Sequence, residues 1–342
     1  MNKPIPFHEG ALVVTSISAP NDVLQELAKG CAERSGRFIV VGDSKSPSDF
    51  HLEGCEFYSI ERQRSLPFQY AQACPERSYT RKNIGYLLAI QGGARFVVET
   101  DDDNFPLKSF WDDRDPLVDA DGVDADGWVN AYSYFADTFI YPRGFPLDKA
   151  RAEEANRRVR LERPPTVSLI QQGLADGNPD VDAVYRMLYP LPFDFNKGRP
   201  LILGKNAWCP FNSQNTTFFP QVYPLLYLPA FCSFRMTDIW RSFVAQRILW
   251  NCESGVSFHQ ATVFQERNEH SLIKDFEDEI PGYLNNQKIA EVLEKLNLKQ
   301  GVASIPDNMT ACYESLCSLG VVGSGEMSLL ELWLQDIAHI NR

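Results

Sequence analysis

Leu12 to Ile17 reads LVVTSI, a short β-branched run that predicts a buried strand. Ala19-Pro20-Asn21 stops it. Asn21 or Asp22 then caps a helix that carries Leu24, Leu27 and Cys31 on one face and ends at Gly36. Phe38 to Val41 and Glu56 to Ile60 predict two further strands. Ser78 caps a helix bearing Ile84, Leu87 and Leu88, which Gly92-Gly93 terminates. Arg95 to Thr100 is another apolar run, and it leads directly into Asp101-Asp102-Asp103-Asn104. Strands alternating with helices indicate a mostly parallel sheet covered on both faces. Such sheets bind ligands beyond the carboxyl ends of their strands. Ser16, Asp43 and Asp101 each close or follow a strand, so all three are expected on one rim.

The middle of the chain is less regular, with many Pro, Gly and aromatic residues over 145–235. Arg151 to Arg163 is a charged helix candidate closed by Pro164-Pro165, and Pro179 to Met187 is a short one. Thr237 caps a strong helix candidate running to Trp250, with Ile239, Trp240, Phe243, Val244 and Ile248 apolar at helical spacing. Beyond about residue 285 the pattern becomes helical, in Gln287 to Leu298, Pro306 to Leu319 and Ser328 to Ile340. The organisation expected is an α/β domain over residues 1–285 and a helical extension over 286–342.

Composition narrows this only a little. Of 342 residues, 44% are hydrophobic and 23% charged, an ordinary globular profile. The net charge of −12 lacks the basic footprint of a nucleic-acid binder, so no nucleic-acid partner is expected. An anionic substrate would need local cations or a metal to offset that field. Seven Asp lie between Asp112 and Asp126, and they read as a solvated loop. The eight Cys show no Cys-x-x-Cys spacing, which points to free thiols in a reducing compartment. The first residues lack signal-peptide organisation, and no apolar run reaches about 18 residues. A cytoplasmic chain is expected, peripheral to a membrane at most.

The sharpest chemical signal is the triple Asp. Three adjacent carboxylates at a strand end repel one another unless a cation is present. Mn²⁺ or Mg²⁺ takes oxygen ligands and shares them with substrate phosphates. Alternation along an extended segment would let Asp101 and Asp103 point together. The bland alternative is an exposed acidic turn. His259 and His270 are candidates for a third metal ligand, although a lone His is more often structural. Arg81-Lys82-Asn83 at a helix start offers cations and amides to a diphosphate. Asp43, with Lys45, offers an acceptor to a base edge, or is a turn residue before Pro47. Arg267 and Lys274 are candidates for holding a leaving diphosphate. Asp238, at a helix start, is kept ionised by the dipole, which suits either a cap or a general base for an acceptor hydroxyl.

Three stretches together resemble a known family: Val-Val-Gly-Asp-Ser-Lys-Ser-Pro around Asp43, Arg-Lys-Asn-Ile-Gly-Tyr-Leu-Leu-Ala-Ile-Gln-Gly-Gly-Ala from Arg81, and Glu-Thr-Asp-Asp-Asp-Asn through Asp103. They are similar to the STELLO family of probable glycosyltransferases. The likeness continues through Tyr141 to Leu147, Gln172 to Asp176, Asp180 to Ala183, Asn212 to Thr216 and Asp238 to Trp250, and covers roughly residues 10 to 280. A fainter likeness around the triple Asp is to the reversibly glycosylated polypeptides that act as UDP-arabinose mutases. The resemblance implies a GT-A, Rossmann-like nucleotide-sugar fold with a mixed, mostly parallel sheet. It implies a nucleotide side built from Thr15, Ser16, Asp43, Lys45, Arg81, Lys82, Asn83, Asp101 and Asp102. It implies a metal site at Asp101 and Asp103, and sugar or acceptor walls at Arg143, Gln172, Asp180, Asp182, Asn212, Gln214 and Arg267. Plant members are Golgi proteins with a transmembrane anchor. None is legible here, so neither that location nor their role in cellulose-synthase trafficking is carried over.

The leading expectation is a glycosyltransferase that moves a sugar from a nucleotide-diphosphate donor, UDP-linked by resemblance, to a hydroxyl of a glycan or small-molecule acceptor, as in surface glycan synthesis. Asp238 is the base if the reaction inverts configuration, and no base is required if it retains. The alternatives are a nucleotide-sugar mutase or nucleotidyltransferase, and a non-catalytic scaffold that keeps the fold. Oligomeric state is not legible.

Overall fold

The computed structural model describes residues 3–266 and 271–340. The β-branched runs form β1 (Ala11–Thr15), β2 (Arg37–Val41), β3 (Glu56–Tyr58) and β4 (Val97–Thr100). These pair in parallel in the order β3-β2-β1-β4. Helix α1 (Asp22–Glu33) connects β1 to β2, and Asn21 caps it by accepting from the Leu24 amide at 2.9 Å. Helices α2 (Ile60–Arg64), α3 (Gln69–Ala73) and α4 (Lys82–Gln91) lie between β3 and β4. Helix α4 sits hard against the sheet. A Cβ at Gly85 would stand 2.5 Å from Val13 Cγ1 and 2.8 Å from Val41 Cγ2, so only glycine fits. The chain steps outward from β1 to β3 and returns on the other side of β1 with β4. That reversal makes the crevice between β1 and β4 a topological switch point.

The second half adds β5 (Asn104–Pro106), β6 (Leu117–Val118), β7 (Asp121–Val123), β8 (Gly127–Trp128) and β9 (Thr166–Val167). It also adds β10 (Ile170–Asp176), β11 (Leu201–Leu203), β12 (Ala207–Trp208), β13 (Asn215–Phe218) and β14 (Val256–Gln265). The sheet continues from β4 through β13, β10, β14 and β11 to β7, with β5 also paired to β14. Strand β13 is antiparallel to both β4 and β10, whereas β14 is parallel to β10. The register Asn215↔Thr100 sets the start of β13 beside the end of β4, so both halves of this mixed α/β sheet feed the same edge.

Two expectations about the middle of the chain fail together. Residues 151–163 are turns and extended chain, not a helix. Leu161 bridges to Gly122 on β7, and Arg160 and Arg163 pair with Asp121 and Asp124. Arg199 pairs with Asp119 and Asp121 as well. The Asp-rich stretch is therefore partly a salt-bridged sheet edge instead of a solvated loop. The short helix expected at Pro179 to Met187 is α5 (Ala183–Leu188), capped by Asp182.

Helix α6 (Thr237–Leu249) matches the apolar pattern, but Thr237 is its first residue, and the position before it is Met236, which makes no side-chain cap. Helices α7 (Leu272–Glu294), α8 (Ile305–Leu319) and α9 (Glu326–Ile340) follow, so the division expected at residue 286 falls inside α7. The C-terminal helices share the core of the sheet. Trp333 Nε1 donates to the Pro224 carbonyl at 2.9 Å. Asp336 accepts from the amides of Gln69 and Tyr70 at 3.0 and 2.8 Å, and Glu326 from those of Ala230 and Phe231 at 2.9 and 2.7 Å. All eight cysteines are free, and no helix among the described residues is long and apolar enough to cross a membrane.

One ion pair lies deep in this core. Arg241 on α6 donates to both Glu99 oxygens on β4, at 2.6 and 2.9 Å, and the two side chains are 1% and 0% exposed. Breaking such a pair strands a charge, whereas replacing both partners does not. Arg241→Met should cost about 3–5 kcal/mol in urea denaturation, and the double variant with Glu99→Leu should recover much of it. A double variant as unstable as the single one would contradict this account.

Candidate functional site

A cleft of about 440 Å³ opens beyond the strand ends. Strand β1 delivers Thr15 and Ser16 to it, β2 delivers Val41, Gly42 and Asp43, and β14 delivers Gln265. Asp101, Asp102 and Asp103 follow β4, Gln214 precedes β13, and Asp238 stands in the first turn of α6. Ser16, Asp43 and Asp101 thus share one rim at the switch point.

The three aspartates do not continue the strand. Residues 101–104 turn between β4 and β5, with the Asn104 amide 3.4 Å from the Asp101 carbonyl. The strand alternation expected to align Asp101 with Asp103 is therefore replaced by a turn, and each carboxylate has its own anchor. Asp101 Oδ1 accepts from Lys82 Nζ at 2.9 Å and from the Tyr79 hydroxyl at 2.7 Å. Asp102 Oδ2 accepts from Ser16 Oγ at 2.5 Å, and Asp103 Oδ2 from Gln265 Nε2 at 3.0 Å. Asn21 Nδ2 donates to the Asp102 carbonyl at 2.8 Å, tying the turn to the start of α1. Burial raises the Asp102 carboxyl; the Ser16 hydroxyl lowers it, and the charge of Asp101 raises it again. A cation at this turn would relieve that repulsion.

Among the described residues, no group of three or more His, Cys, Asp or Glu side chains is placed to hold a metal ion. Two carboxylates of the turn would leave most of a Mn²⁺ or Mg²⁺ shell to ligand oxygens and water, the usual habit of Mg²⁺ at phosphates.

A second charged group faces the turn across the cleft. Arg143 donates to Asp180 at 2.7 and 2.9 Å and to Asp238 at 2.9 and 3.1 Å, and also to the Arg235 carbonyl. Asp238 Oδ2 further accepts from the Ser213 amide and hydroxyl at 3.2 and 3.3 Å. Burial alone would raise Asp238, but the adjacent Arg143 guanidinium outweighs it and holds the carboxyl below the usual range. Ser213 Oγ meets the Tyr79 hydroxyl at 2.6 Å, which closes a continuous run from Asp180 through Arg143, Asp238, Ser213 and Tyr79 to Asp101. Asp238 is therefore ionised but already ringed with donors. A carboxylate with so low a pKa is a weak general base, and its geometry fits substrate positioning better.

The remaining candidates divide. Lys45 and Arg77 are exposed cations on the cleft. Asp43 does not offer a free carboxylate to a base, because it accepts from the amides of Ser44, Arg77 and Ser78 at 2.6, 2.9 and 2.9 Å and so pins the loop that carries Arg77. Lys82 is buried behind Asp101 instead of reaching the cleft. Arg81 touches the cleft, but its guanidinium is bonded to Gln63 and to the Cys74 carbonyl at 2.7 and 3.0 Å. Asn83 bonds Tyr70 and both backbone groups of Leu228, a purely internal role. Gln172 and Asn212 stand behind the wall, the Asn212 amide donating to Gln172 Oε1 at 2.9 Å.

His259 lies away from the triple Asp, in a separate cleft with Arg114. It bonds Ser257 at 2.8 Å, and burial, assisted by Arg114, lowers its pKa to about 4. Arg267 and His270 lie outside the described residues. Sequence reasoning missed Arg77, Tyr79, Gln265, Phe234 and Arg235, and reached Ser213 only within the Asn212–Gln214 segment. Only Gln265 carried a signal, as the last residue of a strand.

Residues 235–341 match the family model described as STELLO glycosyltransferases. Across 96% of its length the chain is 27% identical, over 355 residues, to probable glycosyltransferase STELLO2 of Arabidopsis thaliana. It is 28% identical over 348 residues to probable glycosyltransferase STELLO1 of the same plant. The chain spans less than half of these two proteins, 44% of each. A solved structure titled "Crystal Structure of a Mycobacterial Protein" covers 92% of this chain and 76% of its own at 11% identity, with a TM-score of 0.37. The match to the STELLO model includes α6 and its Asp238 end, whereas the Asp101 turn lies outside residues 235–341.

Asp182, expected in the sugar wall, caps α5 from beneath. Its Oδ1 accepts from the Tyr185 amide at 2.7 Å and Tyr141 at 3.1 Å, while its buried Oδ2 has no partner. Burial, reinforced by Glu279, raises its pKa to about 7. The folded state thus binds a proton that the unfolded chain releases near pH 4, and this group's contribution to stability falls as pH rises from about 4 to 7. Asp182→Asn should flatten that decline in urea denaturation at pH 5 and pH 8. An unchanged slope would contradict the assignment.

Proposed function

We propose that the chain is a glycosyltransferase that binds a nucleotide-diphosphate sugar, UDP-linked in the first instance, in this cleft and transfers the sugar to an acceptor hydroxyl of a glycan. The observation that carries the reading is the meeting of two charged groups on one rim at the switch point: the triple-Asp turn and the Arg143–Asp238 ion group, joined through Tyr79 and Ser213. Asp101 and Asp103 would hold Mn²⁺ or Mg²⁺ together with oxygens of the bound ligand. When bound, such a cation neutralises charge that develops on a departing diphosphate.

The chain's own residues divide the remaining tasks. Thr15, Ser16 and the loop pinned by Asp43 line the nucleotide end. Lys45 and Arg77 would supply exposed positive charge to phosphates. Gln214, Asp180 and Asp238 offer fixed acceptors to sugar hydroxyls, with Arg143 orienting both carboxylates. The depressed basicity of Asp238 favours a role in orientation over one in proton removal.

The test is nucleoside diphosphate release from a panel of UDP-, GDP- and CDP-sugars with Mn²⁺, with and without oligosaccharide acceptors. Acceptor-dependent release from one donor is expected, falling about a hundredfold in Asp103→Ala, a loss of roughly 2.7 kcal/mol in transition-state stabilisation. Conversion of a nucleotide sugar without any acceptor would replace transfer by mutase chemistry. Absence of turnover for every donor would remove the enzymatic reading.

A further inference from the structure

Helix α6 has a second functional end. Asp238 opens it at the first cleft, and Trp250 follows its last turn, about 18 Å away by helical rise. There a separate cleft of about 610 Å³ lies between β8, β12 and the C-terminal ends of α6 and α7. It shares no lining residue with the first.

Two buried indoles form its inner wall and give it fixed polar groups. Trp128 Nε1 donates to Gln287 Oε1 and Trp208 Nε1 to Glu294 Oε1, both at 2.6 Å. Gln287 and Glu294 project from α7, and these bonds hold them in one orientation before any ligand arrives. Trp250 is partly exposed on the cleft, packs edge-on against Trp208 with ring centroids 4.5 Å apart, and has the Arg247 guanidinium 5.6 Å from its ring centroid. The outer rim carries the exposed amides of Asn297 and Gln300, and Asn206, whose Nδ2 donates to Asp126 at 2.9 Å.

Charge selects the ligand class. The lining carries Lys205 and Arg247 against Asp126 and Glu294, and the Arg247 guanidinium is already bonded to the carbonyls of Leu293 and Leu296 and to Asn251. There is no cation surplus for a phosphate or an acidic sugar. A purely apolar ligand would leave the fixed carboxylate and amides unpaired. A neutral pyranose meets both demands, because its C–H face lies on an indole while its hydroxyls donate to carboxylates and exchange hydrogen bonds with amides.

We propose that this cleft is a non-catalytic binding site for a neutral oligosaccharide, distinct from the site of transfer. It holds a glycan chain on the molecule independently of the donor, so it does not require the transferase reading to be right.

The test is calorimetric titration of the full chain with cellohexaose, xylohexaose and mannohexaose, with hexagalacturonate as the acidic control. At least one neutral hexasaccharide should bind, and Trp250→Ala should weaken it about tenfold. Because Trp250 also packs on Trp208, the exposed double variant Asn297→Ala/Gln300→Ala is measured alongside, and it should weaken the same hexasaccharide without altering the melting temperature. Failure of all three neutral probes to bind at about 10 mM, undiminished binding in both variants, or preference for hexagalacturonate would each overturn the proposal.

Discussion

Lys82 brings an ammonium with no exposed side-chain surface to the end of the central sheet. A charge so placed must be surrounded by acceptors or be neutralised. It finds them in the Thr100 carbonyl at 2.7 Å, the Tyr79 hydroxyl at 2.8 Å and Asp101 at 2.9 Å, with the Ser213 carbonyl further off at 3.4 Å. Those four groups come from β4, the turn after it, the segment before α4 and the segment before β13. The single ammonium therefore ties the end of β4, the Asp101 turn and the segments before α4 and β13 together at the switch point. The first Asp of the triple run cannot swing away, and Tyr79 and Ser213 are set to pass that order on to Asp238. The rest of the cleft depends on this arrangement.

The parallel half of the fold was legible because its signals were local. β-branched runs, the Asn21 cap and paired glycines report short-range preferences that tertiary contacts here reinforce. The rim follows from a topological rule, which brings Ser16, Asp43 and Asp101 together from the sequence pattern alone. The orientations of the side chains were not legible. Lys82 and Asn83 sit in a motif that reads as phosphate-binding, yet α4 turns both inward, because its close approach at Gly85 buries nearly every side chain of that helix. Arg151 to Arg163 suggested a helix from composition, while the partners that decide its extended path, Asp121 and Asp124, lie some 40 residues away. His259 looked like a ligand only because histidines are few; its neighbours on β14 and Arg114 could not be known from spacing.

The C-terminal helices belong to this account as structure. Asp336, Glu326 and Trp333 each satisfy backbone groups of the sheet-bearing part, so the segment expected to be an appendage completes loops that border α3 and lead into α6. α6 itself links the two clefts and carries Arg241, whose buried pairing with Glu99 anchors it to the strand that ends in the triple Asp.

The central claim is that the Asp101–Asp103 turn binds a nucleoside diphosphate through a divalent cation. Calorimetric titration of UDP, CDP and GDP, in Mn²⁺ and in EDTA, with the natural chain and with Asp103→Ala, tests it most directly. The account predicts saturable binding of one of the three that requires Mn²⁺ and disappears in the variant. Absence of binding for all three with Mn²⁺ present, or equal binding in EDTA, would contradict it.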